Sequence, residues 1–149
     1  MKRVAITGAG TINALASDVP GTYAALAEGR CGIGAFDIPA RDRRAVRIGG
    51  EVSEWRPEAP FERAQLSLLD RFSQFALFAA RQAVAQSGLT FQGALSDAAG
   101  VILGTAGGGL STTDENYRAV YQDGKDRVHP FVVPRLMHSA GASHSSIAF

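Results

Sequence analysis

Cysteine is almost absent from this sequence: Cys31 is the only one in 149 residues. A single thiol excludes a disulfide within the chain and a zinc site built on several cysteines. Histidine is scarce too, and His138 and His144 stand in an H-x5-H spacing that does not put both imidazoles on one helical face, so no metal site is expected. Neither charge is in excess, since 15 Lys and Arg against 14 Asp and Glu leave a formal charge of +1. A general electrostatic binder of nucleic acid needs a marked basic excess. The one local cluster, Arg41, Arg43, Arg44 and Arg47, is interrupted by Asp42 and reads as a solvated loop rather than a phosphate track. No apolar run reaches the roughly 18 residues of a membrane span, and the start, Met1-Lys2-Arg3-Val4-Ala5-Ile6, lacks a signal-peptide core. With 46% hydrophobic and 19% charged residues, a packed core is within reach and disorder is not expected. These absences predict a soluble, cytoplasmic α/β chain with neither nucleic acid nor membrane as a partner.

What is present is organised around Ala99-Gly100-Val101-Ile102-Leu103-Gly104-Thr105-Ala106-Gly107-Gly108-Gly109-Leu110. The apolar run 101–103, bounded by glycine, predicts a fully buried strand of a parallel sheet. The turn behind it lacks bulky side chains, so a ligand could approach its backbone, as ligands do at the carboxyl ends of strands in open α/β sheets. A tight strand-to-helix turn holding no ligand accounts for the same residues.

Residues 2–7 predict a first strand, and Gly8-Ala9-Gly10 follows it. A dinucleotide fingerprint, G-x-G-x-x-G, would need glycine at position 13, where Asn13 stands, and Glu51 and Glu54 come too late to be its acidic partner. A Rossmann-type NADPH-dependent reductase is disfavoured on that ground. Asp18 predicts an N-cap with Pro20 in the first turn, a helix carrying Tyr23 and Leu26 on one face, and Gly29 closing it. Cys31 has no base near it in sequence and reads as a small buried thiol rather than a nucleophile. Residues 34–62, broken by Pro39, Pro57 and Pro60, hold a short strand within 46–52, with Trp55 as a packing anchor. Glu51, Glu54 and Glu58 read as surface charge.

The clearest helix spans 68–87, with Phe72, Phe75, Ala76, Ala79, Ala80, Ala83 and Val84 in an i, i+3, i+4 stripe and Gly88 in the C′ place. A further helix is predicted over 114–122, a charged loop over 124–128, and an extended stretch over 129–134 because residues before proline avoid the helical region. Pro134 then starts a helix through Met137, Ala140, Ala142 and Ile147. His138-Ser139 and His144-Ser145 lack a G-x-S-x-G elbow, and adjacent residues on a helix point apart, so His144 is expected against a helix interface. Phe149 ends that helix without a C-cap, an unusual finish for a natural protein.

Taken together, these pieces resemble the N-terminal part of the β-ketoacyl-acyl carrier protein synthases, condensing enzymes of the thiolase fold. The matching pieces are Val4-Ala5-Ile6-Thr7-Gly8-Ala9-Gly10; Leu26-Ala27-Glu28-Gly29-Arg30-Cys31-Gly32-Ile33; Asp70-Arg71-Phe72 with Ala83-Val84-Ala85-Gln86-Ser87-Gly88-Leu89; Gly100-Val101-Ile102-Leu103-Gly104-Thr105 through Gly108-Gly109-Leu110 and Glu115-Asn116; and Pro130-Phe131-Val132-Val133-Pro134. No one piece decides, but five in order cover essentially the whole chain and are most similar to the type II, KAS II-like branch.

The resemblance implies a layered αβαβα thiolase-like architecture, of which residues 1–149 are the leading part of the first half. It implies decarboxylative Claisen condensation in fatty acid or polyketide synthesis: a cysteine thiolate takes an acyl chain from acyl carrier protein, and two histidines and an oxyanion hole assist loss of CO₂ from malonyl-acyl carrier protein. The family's nucleophile sits in a T-A-C-A/S-S-G turn expected about a dozen residues beyond Phe149, and Cys31 matches a structural position instead. The resemblance therefore places no catalytic residue in this segment and implies no cofactor and no metal. It implies acyl carrier protein as partner, and a homodimer or a paired synthase subunit. Its substrate contacts would be Gly107, where relatives often carry a larger aliphatic gate, Phe131, and Val132, where relatives carry an aromatic reaching across the dimer. Smaller residues at 107 and 132 predict a pocket open to long or unusual acyl chains; for Gly107, turn geometry alone is an equal explanation. A non-catalytic chain-length-factor-like subunit shares the pattern and stays open. Alone, such a segment is expected to fold poorly, exposing a sheet face and an unpaired edge.

Overall fold

Capping chemistry marks out the helices in the computed structural model, which describes residues 3–36 and 43–149. In chain order run α1 (Val19–Ala27), β1 (Ile33–Ala35), β2 (Ile48–Gly50), α2 (Arg63–Leu66), α3 (Arg71–Ser87), α4 (Ala94–Ala98), α5 (Leu110–Tyr121), α6 (Val132–Leu136) and α7 (Ala140–Ala148). They fall into two units, Met1–Arg56 with Phe78–Ser87, and Pro57–Leu77 with Gly88–Phe149.

In the first unit, Asp18 Oδ1 accepts from the Gly21 amide at 2.7 Å and opens α1, with proline in the first turn as expected. Gly29 follows the helix at φ 67°, a left-handed conformation that glycine adopts without steric penalty. The inward face is the small one: Ala25 is fully buried, whereas Tyr23 and Leu26, which share a face, are 75% and 62% exposed. β1 pairs antiparallel with β2 through Ile33 and Gly50, Gly34 and Gly49, Ala35 and Ile48. β2 lies within the strand expected over 46–52; β1, only three residues long, carried no sequence signal of its own. The Phe36 ring lies where a side chain at Gly49 would stand. Trp55 packs edge-on against Phe78, ring centroids 5.1 Å apart, which makes it the anchor expected. Pro39, Arg41 and Asp42 lie outside the described residues; Arg43, Arg44 and Arg47 are exposed, as for a solvated loop.

The strand expected over 2–7 is not found: among the described residues 3–7 form no ladder, and Val4 and Ile6 are 95% and 92% exposed. Lys2 lies outside the described residues. An apolar run has strand propensity, but a strand exists only where a neighbour offers hydrogen bonds.

In the second unit, the helix expected from residue 68 starts at Arg71, because Asp70 has an extended backbone (ψ 158°) and caps it. The preceding turn closes separately as α2, with a reciprocal capping box between Glu62 and Gln65. Gly88, at φ 65°, ends α3 as expected. The alanine stripe is half-buried, and the helix buries Ser73 and Leu77 most deeply. Residues 101–103 are not the buried strand expected: Ile102 is fully exposed, and Val101 and Leu103 are 44% and 36% exposed. Leu103 covers Gly141 of α7, where an added Cβ would come within 2.5 Å of Leu103 Cδ2 and 3.3 Å of Ala76 Cβ. One side of that run is thus packed and the other bare.

The stretch expected to be extended over 129–134 and helical from Pro134 divides differently. α6 begins at Val132 and takes Pro134 inside its first turn, where the missing N–H removes no intrahelical bond. Met137 turns extended (ψ 138°) and separates α6 from α7, so the single expected helix is two. The buried apolar side chains of this unit are Phe61, Leu69, Leu77 and Ala140.

Candidate functional site

The turn at 104–109 leads into α5, which starts at Leu110, four residues before the expected 114. Thr105 Oγ1 accepts from the Gly108 amide at 3.2 Å, and the Gly109 amide donates to the Leu136 carbonyl at 3.1 Å. Gly108 has φ 56°, and a Cβ there would meet Leu136 O at 2.8 Å; at Gly109 it would meet Arg135 O at 2.7 Å. These two glycines are therefore demanded by backbone contact with 135–138. Gly107 is different: its φ is not positive, and the atoms nearest to a Cβ there all belong to the Leu110 side chain, Cδ1 at 2.6 Å. Leu110 is 66% exposed and free to move, so turn geometry explains Gly108 and Gly109 but does not require glycine at 107.

Gly109, the N-cap of α5, has no side chain with which to cap it. The acceptor comes from 42 residues away: Asp70 Oδ2 takes the Thr112 amide at 2.7 Å, while Oδ1 takes the Phe72 amide of α3 at 3.2 Å. Asp70 is 2% exposed. Its first role is legible from Asp70-Arg71-Phe72; its second has no local signal.

Between α5 and α6 lies a groove of about 260 Å³ lined by Thr113, Asn116, Tyr117, Val120, Tyr121, Val128, Val132 and Leu136. The Tyr117 and Tyr121 rings stack along it with centroids 5.8 Å apart. Its walls are mostly hydrocarbon and aromatic, which suits an alkyl chain and supplies no acid–base pair. Of the three expected substrate contacts, Val132 lines this groove. Phe131 is 47% exposed with its ring 5.9 Å from that of His129, and Gly107 sits in the turn under Leu110.

The other glycine turn, at 8–10, is closed to a ligand. A Cβ at Gly8 or Gly10 would overlap the carbonyl oxygen of Ala83 or Ala79. The Ala9 amide donates to Gln86 Oε1 at 2.6 Å and the Thr11 amide to Gln82 Oε1 at 3.2 Å. Gln82 Nε2 in turn donates to Ser17 O at 2.7 Å. Amides that would cradle a pyrophosphate are thus already engaged, which agrees with rejecting the dinucleotide reading. Asn13, the residue that breaks the fingerprint, organises the next loop. Its Oδ1 accepts from Leu15 N and Ala16 N at 2.8 and 3.2 Å, and its Nδ2 donates to Thr11 Oγ1 and Thr22 Oγ1 at 3.1 and 2.9 Å. Beside that loop is an open hollow of about 480 Å³ bordered by Asp18, Glu51, Glu54 and Trp55.

Cys31, expected to be buried, is exposed, its Sγ 3.4 Å from the Ile33 amide. Ser145 Oγ donates to the Gly141 carbonyl at 2.8 Å, an interaction along its own helix, and His144 beside it is half-buried. Among the described residues no three His, Cys, Asp or Glu side chains come together as a metal site, and no helix is long and apolar enough to cross a membrane.

The model of the β-ketoacyl synthase N-terminal domain matches residues 1–149. The chain belongs to the β-ketoacyl synthase family, and the match is to the N-terminal part of that family. It is 35% identical over 147 residues to nodulation protein E of Rhizobium sp., covering 99% of this chain and 36% of that protein. It is 30% identical over 146 residues to a 3-oxoacyl-acyl-carrier-protein synthase 2 of Synechocystis sp., covering 98% of this chain and 35% of that protein. The chain thus spans about 36% of the length of the relatives it matches. A β-ketoacyl synthase from Burkholderia phymatum superposes with a TM-score of 0.78 at 26% identity, over 99% of this chain and 36% of that one. The ishigamide ketosynthase/chain length factor shares the fold, with a TM-score of 0.75 at 23% identity over 95% of this chain and 36% of that one.

Proposed function

We propose that the complete protein is a β-ketoacyl-acyl carrier protein synthase, an acyltransferase that lengthens acyl chains by decarboxylative Claisen condensation. The observation that carries this reading is the family match across every residue from 1 to 149. The similarity to a 3-oxoacyl-acyl-carrier-protein synthase 2 at 30% identity supports the same chemistry. In that reaction a cysteine thiolate displaces the carrier thiol from the acyl thioester. Malonyl-acyl carrier protein then loses CO₂, and the carbanion attacks the acyl-enzyme and regenerates the thiolate. An oxyanion hole stabilises the charge that develops on each thioester oxygen.

Residues 1–149 are on this reading the leading segment of a layered αβαβα domain, ahead of the nucleophile. Acyl carrier protein delivers both substrates in the cytoplasm. A solved acyl-carrier protein in complex with its ketosynthase, of the same fold at 18% identity and TM-score 0.75, supports the choice of partner. The synthase works as a homodimer or with a paired synthase subunit, and Gly107, Phe131 and Val132 border the acyl chain. The apolar lining of the α5–α6 groove, which includes Val132, and the exposed Leu110 side chain over Gly107 support that assignment. The test is to incubate the complete protein with acyl- and malonyl-acyl carrier protein and analyse products by mass spectrometry. A 3-oxoacyl product with one CO₂ released per condensation is expected. Absence of both the product and an acyl-enzyme adduct would overturn the reading.

A further inference from the structure

We propose that Asp70 is a positioning residue for the acyl-chain site: one buried carboxylate holds the first turns of α3 and α5 and so sets the shape of the 104–109 turn between strand-like run and helix. This rests on the condensing reading for its functional arm.

The argument runs through four residues. Asp70 Oδ2 accepts the Thr112 amide at 2.7 Å, and Oδ1 accepts the Phe72 amide at 3.2 Å. A charged acceptor on a backbone amide, shielded from water, makes the stronger kind of hydrogen bond. No local side chain competes, because Gly109 has none and no side-chain cap is made at α5. The hydroxyls of Ser73 and Thr112, the third residues of α3 and α5, are buried without a partner among the described residues. The carboxylate is the side-chain acceptor that the Phe72 and Thr112 amides share. Thr112 fixes the turn of helix that carries Leu110, and Leu110 Cδ1 fills the space over Gly107. Releasing Thr112 lets the α5 start move and changes the room above Gly107.

Asp70→Asn, close to isosteric, tests this in the complete protein. An amide side chain offers one acceptor oxygen, so it can cap one helix and must turn a donor toward the other. Asp70→Ser serves if the amide variant does not fold, since serine caps α3 well but is too short to reach Thr112. The expected result is about ten-fold faster amide hydrogen exchange at residues 110–113. With it, the ratio of kcat/KM between long and short acyl donors should shift about three-fold or more, through KM for the acyl donor and not for malonyl-acyl carrier protein. A merely structural Asp70 would lower stability and leave that ratio where it was; that outcome, or unchanged exchange at 110–113 with only α3 loosened, overturns the proposal. If the wild-type protein condenses nothing, the condensing reading fails, and the exchange measurement alone decides whether Asp70 holds the turn.

Discussion

The two glycine turns of this chain look alike in sequence and work differently. Each follows a short apolar run, 4–6 in one unit and 101–103 in the other, and each has glycines two apart or closer. At 8–10 the glycines admit the carbonyls of α3, and two glutamines of that helix, Gln82 and Gln86, take the free amides. Of the four glycines at 104–109, Gly108 and Gly109 admit the backbone of 135–138, Gly104 meets nothing, and Gly107 lies under the Leu110 side chain. The first turn is pinned on one side, against α3 of its own unit. The second is locked at its end, by Gly109 and Asp70, and open in its middle. A glycine-rich pattern therefore reports close approach, and the neighbour decides whether that approach is by the protein or by something else.

The contrast is broken most severely at the locked turn. Gly10→Ala forces a methyl into the Ala79 carbonyl, and neither backbone can retreat without moving a helix; a loss of about 3 kcal/mol in denaturant unfolding of the complete protein is expected. Asn13→Ala removes four hydrogen bonds from a part-buried loop and should cost about 2 kcal/mol by the same measurement. Gly107→Ile at the open turn should cost about 1 kcal/mol, since its Cβ meets the exposed Leu110 side chain rather than backbone, yet move the product distribution toward shorter acyl chains. Unchanged chain-length preference in that variant would remove Gly107 from the acyl site. The smallest effect is expected from Thr112→Val, which keeps the amide given to Asp70 and deletes a buried hydroxyl without a partner among the described residues: stability should be unchanged or rise by up to about 1 kcal/mol.

Much of the candidate site was legible in the sequence as pattern, less of it as geometry. The order of motifs indicated the family before any coordinate, whereas the groove that Val132 lines is visible only in the structure. The role of Leu110 as the occupant of the space over Gly107 was not legible, because nothing in Gly107-Gly108-Gly109-Leu110 distinguishes a glycine required by its φ from one beside a movable side chain. The start of α6 differs from the expected Pro134 for a local reason: a first turn tolerates proline at its third position as well as its first.

The sequence by itself indicated the family and those helix ends that are set by a local cap. Asp18, Gly29, Asp70 and Gly88 stand where their caps are found, because a cap acts on amides and carbonyls within a few residues of itself. Only the tertiary structure decided which apolar runs are covered, which glycines meet backbone and which helix borrows its cap from afar. Val4, Ile6 and Ile102 carry every local mark of a buried strand and stand exposed, since a strand is defined by partners distant in the chain. The Asp70–Thr112 bond spans 42 residues, and a contact of that kind comes into being only when packing brings the two first turns together.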